Sequence, residues 1–154
     1  SDGTHHNRMN IQEQIQLVNS IANRPEVLPF IAPGYVSVDL RAFFDRHGNL
    51  MVGNALGVIL FGNLGDGIYS CHFLLTNKLR GPDACRAIKM AFSSLFTYKD
   101  CIAITGLIPR ENRASRAMVR ALGCRPIGEI SDMYGRPCIS YMLERKTWVT
   151  LSGA

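Results

Sequence analysis

Between Ile68 and Phe96 the apolar period of the chain changes once, and this change restricts the fold more than any other stretch. "IYSCHFLL" (68–75) alternates Tyr69, Cys71, Phe73 and Leu75 against Ser70, His72 and Leu74, as a strand with two distinct faces does. "ACRAIKMAFSSLF" then repeats its apolar residues at 84/85, 88, 91/92 and 95/96, which is helical spacing. The join between them, "TNKLRGPD", sets Arg80-Gly81 directly before Pro82 and Asp83. A strand that enters a long helix through a glycine-bearing loop is a unit of α/β architecture.

The rest of the chain is consistent with that unit. "MNIQEQIQLVNSIAN" puts Ile11, Ile15, Val18 and Ile21–Ala22 on one helical face, with Asn10 and Glu13 as a capping-box start and Pro25 as a stop. "RPEVLPFI" suits a short second turn of helix, while "VDLRAFFD" (38–45) fits a short helix or a strand equally. The runs "LMVG" (50–53) and "GVILFG" (57–62) read as strands, and Asp66-Gly67 in "NLGDG" supplies the positive φ of a tight hairpin. Downstream, "CIAITGLIP" (101–109) reads as a strand and "NRASRAMVRALG" as a helix closed by Gly123. "RPIGEI" and "CISYMLER" complete the pattern as two strands around the turn "SDMYGRP". The tally predicts a single-domain α/β fold, a mixed central sheet flanked by helices, spanning residues 9–150.

Composition bounds the setting. At 154 residues, 47% apolar and 19% charged, the chain has the profile of a soluble globular domain, with no apolar run of the ~18 residues a membrane helix requires. The opening "SDGTHHNR" reads as a disordered expression tag before a native start at Met9, which sets His5 and His6 aside as metal ligands. With no signal-peptide pattern, a cytoplasmic location is expected. The net charge of +5 is a modest excess that suits an anionic ligand better than a nucleic-acid surface. Five cysteines, an odd count without a CxxC pair, predict buried reduced thiols and no zinc. No Walker-A or Rossmann spacing occurs, and "GNLGDG" joins two strands instead of opening a helix.

The junction at Arg80-Gly81 has its own chemistry. A helix start leaves backbone N–H groups without intrahelical partners, and the helix dipole adds partial positive charge there, so an anion fits. Gly81 lets the backbone approach a ligand, and Lys78 and Arg80 offer charge-assisted bonds. Against this, Pro82 removes one donor, though it suits a first helical turn, and Asp83 would repel phosphate if it pointed inward. Two readings stay open: a working anion loop, or a helix start that has lost its ligand.

This junction and "GLIPRENRASRAMVRALGCRPIGE" (106–129), with its "N..S.....LG" pattern, resemble the GNAT superfamily of acetyl-CoA-dependent N-acyltransferases over roughly Leu50 to Trp148. The resemblance implies acetyl-CoA as cosubstrate, no metal, and a primary amine (a protein N-terminus or a small amine) as acceptor. It implies thioester polarisation by backbone groups of Phe73, Leu74 and Leu75. The family's loop, Gln/Arg-x-x-Gly-x-Gly/Ala, aligns on Gly81 as Lys78, Leu79, Arg80, Gly81, Pro82 and Asp83, followed by Ala84. It also places Asn112 and Ser115 near the cofactor, with Asn112 doubling as a helix cap. The family's usual acid, a tyrosine seven residues after the asparagine, falls on Val119, and the strand glutamate many members carry is missing. His72 or Glu111 remains as base, and Tyr134 and Tyr141, near the last two strands, are candidate acids. Cys71 and His72 are adjacent on a strand and face opposite sides, so they cannot act as a pair.

Three functions follow as expectations. The first is N-acetyl transfer. The second is suggested by a similar group of short phage and prophage proteins, some labelled head-assembly proteins. In that case the scaffold persists without chemistry and binds a phage or host protein, in the host cytoplasm. The third is nucleic-acid binding through Arg110, Arg113, Arg116 and Arg120, for which a solvated helix face is the simpler account.

Overall fold

The computed structural model describes residues 9–152; the segment read as a tag, with His5 and His6, lies outside them. The helices are α1 (Ile11–Ala22), α2 (Leu28–Ile31), α3 (Gly81–Tyr98), α4 (Arg113–Ala121) and α5 (Arg145–Ser152). The strands are β1 (Leu50–Asn54), β2 (Gly57–Gly65), β3 (Ile68–Leu75), β4 (Ala103–Pro109), β5 (Arg125–Ser131) and β6 (Pro137–Glu144). They form one mixed sheet in the order β1-β2-β3-β4-β6-β5, in which β3 and β4 are parallel and β1–β2, β4–β6 and β5–β6 antiparallel. The expected α/β fold with a mixed sheet and flanking helices is present.

Residue contacts group into two compact units. The first comprises residues 9–63 and 72–91. Its core joins Val18, Ile21, Ala22 and Val27 to Met51, Val58, Leu60 and Leu74. α1 begins with the predicted capping box: Glu13 N–H donates to Asn10 Oδ1 at 2.8 Å, and Asn10 N–H to Glu13 Oε1 at 3.2 Å. Ile11 was expected on the buried face but lies in the first turn, 52% exposed. The ambiguous stretch 38–45 resolves into a 3₁₀ turn at Arg41–Asp45. Two asparagines one helical turn apart hold the segment before it. Asn23 bonds both backbone groups of Val38, and Asn19 accepts from Leu40 N–H while donating to Asp39.

The second unit comprises residues 64–71 and 92–152. The Asp66-Gly67 hairpin has the predicted positive φ at both residues, +55° and +78°. Phe92 and Phe96 pack on Trp148, with ring centroids 6.0 and 5.9 Å apart. The strand read through Arg145 ends at Glu144, and a helix follows that the periodicity did not reveal. Arg145 makes this turn: its N–H donates to Ile102 O at 2.8 Å, and its guanidinium to Cys101 O and Lys99 O at 2.8 and 3.0 Å. β4 correspondingly starts at Ala103, later than the predicted residue 101. Among the described residues no helix is long and apolar enough to cross a membrane.

Candidate functional site

His72, Phe73, Leu74 and Leu75 end β3 in the first unit, and Lys78 to Ala84 follow through the loop into α3. The loop is knit from within. Thr76, 2% exposed, donates from N–H and Oγ1 to the carbonyl of Leu56, at 3.0 and 2.6 Å. Its own oxygens accept from Lys78 N–H (3.3 Å) and Leu79 N–H (3.1 Å). Arg80 folds back, its guanidinium donating to Leu75 O at 3.2 Å and Asn77 Oδ1 at 3.4 Å.

At the helix start the picture reverses. Ala84 N–H reaches Arg80 O at 3.5 Å, but among the described residues the amides of Arg80, Gly81 and Asp83 have no protein acceptor. Gly81 sits at φ +58°, with open space where a Cβ would be. Only glycine holds that backbone at little cost. Pro82 lies in the first turn, where its missing N–H is tolerated. The Asp83 carboxylate pairs along the helix with Arg86, and both side chains are exposed. The charge that would oppose an anion is therefore already countered by its neighbour.

His72 stays open to solvent, yet the surrounding protein desolvates its imidazole and lowers its pKa below the ordinary value. The ring is therefore neutral at physiological pH and able to accept a proton. Burial leaves three of the thiols poor nucleophiles. All five are free, and burial pushes Cys71 well up, Cys101 to about 11 and Cys124 to about 12. Cys101 and Cys138 are fully buried as expected, whereas Cys71, Cys85 and Cys124 are half-buried.

The remaining candidates lie in the second unit. Glu111 is exposed in the turn before α4, its carbonyl accepting from Arg113 N–H at 2.9 Å. Asn112 caps α4 as predicted, accepting from Ser115 N–H at 3.2 Å. Tyr134 lies in the β5–β6 turn beneath the guanidinium of Arg136, 5.6 Å from the ring centroid. Two members of the arginine row are engaged within the chain. Arg110 pairs with Glu129, and Arg116 donates to Tyr141 Oη (3.3 Å) and Arg110 O (2.9 Å). Val119, at the position of the family's tyrosine, is buried. A recess of about 440 Å³ also opens in this unit beside Thr97, Asp100, Ile102 and Arg145, but no candidate residue lines it. Among the described residues no cluster of side chains has the makings of a metal site.

Sequence reasoning missed Thr76 and its partner Leu56, because 20 residues separate them and no local pattern ties them together.

No protein-family model matches the sequence, and no curated protein does. Solved structures do. An aminoglycoside acetyltransferase in complex with coenzyme A and kanamycin superposes with a TM-score of 0.72 at 13% identity, covering 95% of this chain and 96% of that one. The chain has the GNAT fold. An acetyltransferase of the GNAT family from Bacillus anthracis gives 0.69 at 18% identity, over 90% and 93% of the two chains. A ribosomal-protein-S5-alanine acetyltransferase from Vibrio fischeri gives 0.55 at 17% identity; the match covers 60% of this chain and 56% of that enzyme. In the GNAT fold of this chain, the junction from β3 into α3 and the start of α4 are the two helix starts to which the sequence resemblance points.

Proposed function

We propose that this chain is an N-acetyltransferase that moves an acetyl group from acetyl-CoA to a primary amine, a small amine or a protein N-terminus. The observation that carries the reading is the set of three unpartnered amides, at Arg80, Gly81 and Asp83, at the start of an 18-residue helix. Pyrophosphate matches that donor set, with helix-dipole charge behind it and Lys78 nearby in sequence. Two of the three named structural neighbours add support. One is solved with coenzyme A and an aminoglycoside, and the other is named for a protein alanine.

Bound acetyl-CoA supplies the activated acyl group. In the transfer an N–C bond forms and the C–S bond breaks. The proton released from the amine goes to His72, whose lowered pKa keeps it a neutral base. Glu111 is the second candidate for that role, and backbone groups of Phe73 to Leu75 polarise the carbonyl. Tyr134 serves as the acid for the departing thiolate, and Asn112 and Ser115 complete the cofactor side. The chain is read as one domain over residues 9–150 that works in the cytoplasm.

The second reading, a lapsed enzyme that binds a phage or host protein in head assembly, is favoured by one observation: the buried Val119 where the family keeps an acid. A thermal shift with acetyl-CoA, followed by thiol release in the presence of spermidine or an Ala-initiated peptide, separates the two. Stabilisation with thiol release is the expected result. No stabilisation at millimolar acetyl-CoA rejects the transferase.

A further inference from the structure

The loop before α3 sorts its amides into two groups, and its first residue, Thr76, does the sorting together with Glu26. Asn77, Lys78 and Leu79 spend their N–H groups on Glu26 Oε2 (3.3 Å), Thr76 Oγ1 (3.3 Å) and Thr76 O (3.1 Å). Arg80, Gly81 and Asp83 keep theirs. Thr76 is the only polar residue among the described ones that is fully buried, and the carbonyl it binds belongs to the tight turn between β1 and β2. That turn is itself fixed, because Leu56 N–H donates to Asn54 Oδ1 at 2.9 Å. It also abuts the loop: a Cβ on Gly57 would meet Leu75 Cδ2 and Leu79 Cδ2 at 3.0 Å and Leu74 O at 3.3 Å. On the other flank Glu26, whose acidity is raised by hydrogen bonds to backbone amides and to Arg24, holds Asn77.

We infer that Thr76 is the positioning residue of the anion loop, with Glu26 as its auxiliary. Thr76 holds the amides of Lys78 and Leu79 inward, and Glu26 that of Asn77, so that the next three face a pyrophosphate. The inference rests on the cofactor reading above. Its physical basis is that an amide that loses its acceptor turns to another, water included, which reorganises the turn. Preorganised amides then bind the anion without a reordering cost.

The experiment is calorimetric titration of coenzyme A into the full chain and its Thr76→Val, Thr76→Ser, Glu26→Ala and Leu143→Val variants, each also melted. Valine keeps the shape and removes the hydroxyl, and should weaken coenzyme A about tenfold, the equivalent of one buried hydrogen bond. Serine restores the bond and should return the affinity to within about threefold of wild type. Glu26→Ala, at a half-buried position in the connection between α1 and α2, should weaken binding by about threefold. Leu143→Val trims the core of the other unit and should lower the melting temperature while leaving the affinity unchanged. If wild type binds and the valine and alanine variants bind equally well, the inference is overturned; should valine fail to fold, equal binding by Glu26→Ala overturns it. If affinity tracks melting temperature across all four variants, the inference is likewise overturned. If wild type itself binds no coenzyme A, the cofactor reading falls and takes this inference with it.

Discussion

Of the strand-to-helix passages in the chain, those into α3 and α4 treat their backbone donors differently. Before α4, Arg110 N–H goes to Pro137 O, Asn112 N–H to Pro109 O and Arg113 N–H to Glu111 O, each at 2.9 Å. Asn112 then takes Ser115 N–H on its side chain and Arg116 N–H on its carbonyl. Most of that helix start is satisfied by the protein itself, with only the Glu111 and Ala114 amides lacking a protein acceptor among the described residues. Before α3 no side-chain cap takes the helix-start amides, a glycine holds a left-handed φ, and three of those amides are left for something else. A self-capped helix start provides stability, whereas an uncapped one leaves its donors to water or to a ligand. On the proposed function, the difference corresponds to anchoring at α4 and anion binding at α3.

The largest expected effect follows from the strand that feeds the open junction. His72→Gln should lower kcat by about 10² or more, the usual loss on removing a general base, with coenzyme A affinity unchanged in calorimetry. For wild type, the acid limb of kcat/KM should have an apparent pKa below 6.5, since the folded-state value is lowered. The same shift has a stability consequence. The unfolded state takes up the proton more readily, so the contribution of His72 is full above pH 6.5. It is lost as pH falls through the lower folded pKa. A limb above 6.5 would remove His72 as base.

Next in size is Gly81→Val. Space is open there, so the penalty is purely conformational, about 1–2 kcal/mol for a left-handed β-branched residue. It should appear as about a tenfold loss of coenzyme A affinity. Asn112→Ala sharpens the comparison from the other side. Loss of the cap should cost about 1 kcal/mol in a denaturant titration, with a smaller change in coenzyme A affinity than Gly81→Val produces. The smallest effect is at the exposed Asp83–Arg86 pair, worth a few tenths of a kcal/mol. Arg86→Ala leaves the carboxylate uncompensated and should weaken coenzyme A by about twofold at low salt, vanishing at high salt. Asp83→Asn should not weaken it at all.

What could be read from the sequence was local. The Asn10–Glu13 capping box, the Asp66-Gly67 hairpin, the Asn112 cap and the special status of Gly81 each depend on residues within a few positions of one another. The features that escaped are closed over long range. Thr76 reaches Leu56, Asn77 reaches Glu26, and Arg145 ends a strand by binding carbonyls at Lys99, Cys101 and Ile102. The stretch 38–45 was ambiguous for a related reason, since its path is set by Asn19 on α1 and Asn23 at its C-terminal end and not by its own periodicity. For the candidate site, residue identities were legible while the state of each donor was not, because an amide's availability depends on what else has claimed it.

The division of labour between the two junctions is tested most directly by an amide-resolved ¹⁵N NMR titration with coenzyme A. The largest perturbations are predicted at Arg80, Gly81 and Asp83, with smaller ones at Asn112 to Arg116 and little at Asn77 to Leu79, whose N–H groups are already committed. Saturable shifts that leave residues 80–83 unmoved, or no shifts at millimolar coenzyme A, would contradict the account.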